Sequence, residues 1–111
     1  MDDRARRVGK NEAVFRQVNE QIESLNRTMA AISDHTMRVV CECGELSCVE
    51  QLTVLVSDYE RIRSEPTLFV VLPGHEIPDV EEVVERTPDY HVVRKHEGGP
   101  ARLARELDLR S

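Results

Sequence analysis

All three cysteines of this chain fall within one short stretch, Cys41-Glu-Cys43-Gly-Glu-Leu-Ser-Cys48. The odd number argues against a disulfide framework. The crowding argues against three unrelated core thiols. Cys41 and Cys43 are two residues apart in what reads as a strand, so their side chains leave the same face. Gly44 lets the chain turn and bring Cys48 back. Three thiolates converging on one point begin a tetrahedral site for a soft cation, and zinc takes four nitrogen or sulfur ligands there. No cysteine remains to complete the set, so the fourth ligand is expected from His35, His75, His91 or His96. His75 follows Pro73-Gly74, a tight turn after an apolar run, where an imidazole is held rigidly. His35, near the first cysteine, is the next candidate. His91 alternates with valines and reads as a surface or edge residue. His96 lies in a Gly-rich exit. The expected metal ligands are Cys41, Cys43, Cys48 and His75, and the expected cofactor is Zn2+.

Four protein ligands fill the tetrahedron and leave no open position, so the site reads as structural. A deaminase-type centre needs a His-x-Glu pair followed by Pro-Cys-x-x-Cys. Here His75 and Glu76 are adjacent and the cysteines come first. The plainer alternative is a reduced thiol cluster in a small core. A redox switch would need a thiol of depressed pKa. Metal binding also suits the size of the chain. With 111 residues, the core is modest, and metal-binding free energy adds directly to folding.

The first third carries a second pattern. Between Arg4 and Ile32 there is no Pro, and Gly9 is its one glycine. Phe15, Val18, Ile22, Leu25, Met29 and Ile32 are spaced alternately three and four apart, a heptad seam. Extended backwards, the stripe takes in Val8 and Asn11, and an Asn there would set the register of a paired seam. Ser33 and Asp34 end the pattern. Such a helix is roughly 40 Å long, and part of it is expected to project beyond its own domain. An isolated helix with an apolar stripe needs a cover. Phe15, Val18, Ile22, Leu25 and Met29 are therefore the expected partner-binding residues, toward another protein or a second copy. The competing expectation is packing onto the chain's own β unit.

The remainder reads as short elements between clear breaks. Residues 37–43 and 48–54 form a hairpin. Ser57 and Glu60 make a capping box opening a short helix, and Pro66 follows its end. Residues 68–72 (LFVVL) read as a central strand. Residues 79–86 fit helix or strand, and a hairpin with residues 90–95 across Thr87-Pro88-Asp89 is favoured. Gly98-Gly99-Pro100 breaks the chain before a short helix or tail. The expected fold class is α+β: a long N-terminal helix, a coiled-coil candidate, then a small mixed-sheet unit with short helices and the zinc site. The expected division is residues 1–34, 35–97 and 98–111.

Composition narrows the function classes. A net charge of -6 disfavours nucleic acid as a partner. Aromatics at 4% with no Trp give little with which to build a stacking platform. No apolar run is long enough for a membrane helix and no signal peptide opens the chain, so the cytoplasm is the expected compartment. The acidic stretch Glu76, Asp79, Glu81, Glu82, Glu85 reads as a solvated edge. The basic start, Arg4, Arg6, Arg7 and Lys10, reads as a frayed helix end. No phosphate loop, Gly-x-Ser-x-Gly or His-Glu-x-x-His is present, and no enzymatic activity is expected.

Residues 11–22, the Val40-Cys41-Glu42-Cys43-Gly44 to Cys48 element, residues 55–63, Phe69-Val-Val-Leu-Pro-Gly-His75-Glu76, and residues 83–95 together resemble a family of small, largely uncharacterised proteins of actinobacteria and their relatives. The resemblance runs from about Asn11 to Lys95, and the CxCx4C and Pro-Gly-His-Glu elements are its most specific parts. It implies that Cys41, Cys43, Cys48 and His75 form one constellation. It implies no activity, and zinc is an inference from the ligand chemistry. The reading is a non-enzymatic adaptor or regulator with a structural Cys3His zinc site. A zinc- or thiol-responsive sensor is the alternative.

Overall fold

A single helix, α1, runs from Asp3–Ala30, as the Pro-free stretch predicts. The structure, a computed structural model, describes residues 3–30, 35–45, 47, 48, 50–108 and 110, with side chains described for all of these except 26–30. Ile32, Ser33, Asp34 and the side chain of Met29 therefore lie outside the described residues. After α1 come β1 (Thr36–Val40), β2 (Gln51–Leu55), α2 (Val56–Arg63), β3 (Leu68–Val71), β4 (Glu81–Arg86), β5 (His91–Lys95) and α3 (Gly99–Glu106). The class is α+β. Two small antiparallel sheets share the strands: β1 with β2, and β3-β5-β4.

β1 pairs with β2 from Thr36↔Leu55 to Val40↔Gln51. Alternation turns Met37, Val39, Leu52 and Val54 inward. They meet Tyr59 and Ile62 of α2 and Leu68, Val70 and Val92 of the other sheet in one core. The opposite face of that sheet, Phe69, Val71 and Val93, packs with Cys41, Cys43 and Ala104 in a second. The favoured hairpin is present: β4 and β5 pair, with a bulge between Val83 and Glu85.

Several expectations change. Residues 68–72 read as a central strand, yet β3 is at the edge and β5 is central. The run is apolar because β3 is buried along its whole length and its free edge is covered. Val70 exchanges bonds with Glu42 there: Glu42 N–H donates to the Val70 carbonyl (2.8 Å), and Val70 N–H donates to Glu42 Oε1 (3.1 Å). Arg16 donates to the carbonyls of Pro66 (2.8 Å) and Leu68. The expected capping box is displaced: α2 opens at Val56, its N-cap is Leu55 and no side chain caps it. His91, expected at the surface or an edge, sits on the central strand with its side chain 15% exposed, beside Glu76 (3.6 Å).

The largest revision concerns α1. The seam expected to need a cover is split: Val18 and Leu25 are 42% and 81% exposed. Phe15 is half-buried, and Ile22 packs against the first core. The fully inward stripe is Glu12, Arg16, Asn19 and Glu23, spaced four, three and four apart. Its polarity has a physical cause. The helix lies along backbone groups that no strand pairs, and buried peptide groups require partners. Asn19 accepts from Val40 N–H and donates to the Val40 carbonyl, both at 2.8 Å. Asn11, expected to set a seam register, donates instead to the Gly44 carbonyl at 3.0 Å. The Arg16 guanidinium also stacks on Phe69, 3.5 Å from the ring centroid. Lys95 bridges Glu12 (2.7 Å) and Glu81 (2.9 Å) in the interior.

α3 and the tail close over the same helix. A Cβ on Gly9 would lie 2.6 Å from Leu103 Cδ2, so α3 approaches the α1 backbone directly. Arg63 joins Glu20 (2.5 Å) to Asp108 (2.8 Å), and Arg110 reaches Glu20 (3.0 Å) and Glu60 (2.8 Å). The acidic stretch is not one solvated edge. Glu81 is 1% exposed on Lys95, Glu85 pairs with Arg61, and Asp79 pairs with Arg4.

Candidate metal centre

β1 delivers the first two ligands. Just past its end, Cys41 N–H still donates to the Glu50 carbonyl (3.0 Å), so the extended course continues. Side chains therefore alternate: Cys41 and Cys43 turn into the second core, while Glu42 turns the other way. Gly44 then takes a φ of +78°, and a Cβ there would sit 2.9 Å from the Val8 carbonyl oxygen. Only glycine combines that conformation with so close an approach to α1. Cys48 N–H donates to the Glu45 carbonyl (2.9 Å), closing the turn that brings the third thiol round. The fourth ligand comes from the end of β3, where His75 N–H donates to the Leu72 carbonyl (2.9 Å) and fixes the turn.

These segments converge. One ligand atom from each of Cys41, Cys43, Cys48 and His75 lies within 4.8 Å of every other. His75 Nδ1 is 3.6 Å from Cys41 Sγ and 3.7 Å from Cys48 Sγ. A tetrahedral ion with metal–sulfur and metal–nitrogen bonds of about 2.3 Å and about 2.0 Å would place those atoms roughly 3.5 Å apart. The four-ligand set expected from the sequence is the one the fold assembles. His35, His91 and His96 are not in it.

The surroundings favour ligation. His75 presents Nδ1 to the sulfurs and Nε2 toward Glu50 Oε2, 3.4 Å away. A carboxylate behind a ligating imidazole fixes its tautomer and raises its basicity. The Leu72 N–H donates to Cys41 Sγ (3.2 Å), a bond that suits a thiolate. Cys41 donates to Cys43, which draws the Cys43 thiol down to about 5. The same bond, with burial, holds Cys41 up, and burial raises Cys48. A bound cation removes this rivalry because all three thiols ionise toward it.

Burial is graded across the set. Cys41 and Cys43 are 1% and 2% exposed, whereas Cys48 and His75 are half-buried. The latter two line a cleft of about 570 Å³ with Cys43, Glu45, Ser47 and Glu50.

Three residues escaped the motif reading. Glu50 lacks a sequence signature because a second-sphere carboxylate has no fixed spacing from the ligand it serves. Tyr59, on the buried face of α2, donates to Glu42 Oε2 (2.8 Å). Glu42 is the most consequential. Wholly buried between two ligand cysteines, it accepts from Asn19 (2.8 Å), Tyr59 (2.8 Å) and Val70 (3.1 Å). Its signal was the strand alternation that put both cysteines on one side.

Comparison with protein-family models, curated proteins and solved structures gives no match. The resemblance to the small actinobacterial family therefore stands on the motifs of the sequence alone. Among the described residues, no helix is long and apolar enough to cross a membrane.

Proposed function

We propose that this chain is a small, non-enzymatic zinc protein. In this reading Cys41, Cys43, Cys48 and His75 hold a structural Zn2+, and the exposed face of α1 serves contact with another protein chain, as an adaptor or regulator does. The observation that carries the metal assignment is the convergence of four soft donors, from the end of β1, the following turn and the end of β3, within 4.8 Å. Zinc suits three thiolates and one imidazole, and four protein ligands leave no coordination position for a substrate. The reading also places the chain in a reducing compartment such as the cytoplasm, where the thiolates stay available. The test is metal analysis of purified protein, with Cys43→Ser and His75→Ala beside the wild type. One zinc per chain, lost in Cys43→Ser and weakened in His75→Ala, is expected. Metal-free reduced protein would overturn the assignment.

A second reading, a zinc- or thiol-responsive switch, is favoured by one observation. Cys48 is half-buried at the cleft, with its Sγ within 4.8 Å of the Cys43 Sγ. Peroxide would oxidise one thiolate to a sulfenic acid, and the second would displace water to form a disulfide. Zinc ejection by mild peroxide, reversed by a thiol reductant, distinguishes this switch from a purely structural site.

A further inference from the structure

The Cys3His group is sealed on one side and open on the other. Cys41 and Cys43 are packed into the second core. Cys48 and His75 are half-buried, and the His75 side chain is 33% exposed. Both face the cleft of about 570 Å³, a size that admits small molecules. A metal ion enclosed on every side leaves only when the chain unfolds. An ion with two of its ligands on a cleft of this size is reached in the folded state. The walls carry two exposed carboxylates, Glu45 and Glu50, and among the described lining residues no lysine or arginine.

We infer that the folded chain takes up and gives away its metal through this cleft, by a ligand exchange that begins at Cys48. The inference rests on the Cys3His reading and names how that site is loaded and emptied. Uptake follows the carboxylates. Charges of one sign along a cleft raise the local concentration of a cation, and Glu50 Oε2 lies 3.4 Å from His75 Nε2. Release needs an incoming donor, because four protein ligands leave no free position. That donor bonds to the ion and the bond to Cys48 Sγ breaks. The freed thiolate takes a proton from solvent, and the metal keeps its oxidation state. Cys48 is the ligand that yields. Cys41 and Cys43 are 1% and 2% exposed, and Cys41 Sγ accepts from Leu72 N–H (3.2 Å). His75 is held by its own N–H on the Leu72 carbonyl and by Glu50. The acidic walls also select the donor. A small uncharged or cationic chelating ligand enters, and a polyanion is repelled.

Zinc content of the full chain is measured first. The loaded protein is then mixed with the uncharged pyridyl chelator TPEN, or with the anionic chelator EDTA, and the zinc left on the chain is followed over time. The rate of loss is expected to rise in proportion to TPEN and to exceed the rate of global unfolding, measured in urea on the same protein. Ser47 lines the cleft from an exposed position, so Ser47→Trp fills the opening and keeps the fold. It should slow removal by TPEN roughly tenfold with the zinc content unchanged. Glu45→Gln should speed removal by EDTA at low salt and leave the TPEN rate as it was. A rate independent of TPEN and equal to unfolding, a Ser47→Trp chain that loses zinc as fast as the wild type, or an EDTA rate indifferent to Glu45→Gln each overturns the inference. All three leave the Cys3His assignment standing. A chain that holds no zinc overturns both.

Discussion

The Cys3His group and the Glu12–Lys95–Glu81 triad are two buried polar clusters in one small protein, and they differ in what holds them. The first is short-range in sequence apart from His75 and gathers soft donors around a point. The second joins α1, β4 and β5 across as many as 83 residues of separation, with one ammonium between two carboxylates. In the proposed reading, a cation supplied from solution organises the first. The second must supply its own cation, and Lys95 has two anions to satisfy. Burial therefore holds the Glu12 carboxyl well above its ordinary value, against the pull of Lys95, with Glu81 adding to the rise. Metal ligation adds favourable free energy to folding, whereas a buried ion network of this kind secures a particular docking at little net gain.

Removing the metal should have the largest effect. Structural zinc contributes apparent binding free energies of about 10–16 kcal/mol in small zinc domains. A strong chelator is expected to abolish cooperative thermal unfolding or lower its midpoint steeply. A midpoint unmoved by chelation would show that the cores alone hold the fold. Next is Glu42→Leu, which strands the Asn19, Tyr59 and Val70 donors. It should cost about 3–5 kcal/mol in urea unfolding at saturating zinc. A smaller loss would make Glu42 a filler between the cysteines.

Glu12→Gln sharpens the contrast through pH. A carboxyl raised in the folded state binds its proton more tightly there than in the unfolded chain. Its contribution is complete below the ordinary carboxylate value of about 4.3 and is lost as pH rises through the folded value. The wild type should therefore lose stability relative to Glu12→Gln as pH rises above the ordinary carboxylate value of about 4.3. Parallel stability–pH curves for the two proteins would contradict the raised carboxyl. The smallest effect belongs to the surface pair Arg61–Glu85, 2.8 Å apart with side chains 50% and 38% exposed. Arg61→Ala should cost under about 1 kcal/mol in the same unfolding assay.

The unequal legibility of the clusters has the same origin. The ligands could be read because metal chemistry restricts residue types and because strand alternation and a turn fix where near neighbours point. His75 was legible from the Pro-Gly turn that holds it. The β4–β5 hairpin was legible from two Val-rich arms around a turn signal. The orientation of α1 was not. A heptad of Phe15, Val18, Ile22 and Leu25 signals burial only when the surface beneath is apolar. Here the surface beneath presents the backbone of Val40, Gly44 and Leu68, and polar side chains answer it. The stripe Glu12, Arg16, Asn19, Glu23 repeats as regularly as the apolar one, but in isolation it looks like an ordinary solvated face. Glu81 was misread for the same reason, since its partner Lys95 lies on another strand.

The Cys41-Glu42-Cys43 alternation has one more consequence. Three consecutive residues send two side chains to the metal site and one to the seat of α1, and Gly44 brings the next peptide against Val8 and Asn11. Thermodynamic linkage makes such an arrangement reciprocal. Whatever the ion adds to the rigidity of this segment favours the docked helix, and the docked helix returns the same factor as metal affinity. A change far along α1, at Asn19, would thereby be readable as a change in the dissociation constant of a metal held at this site.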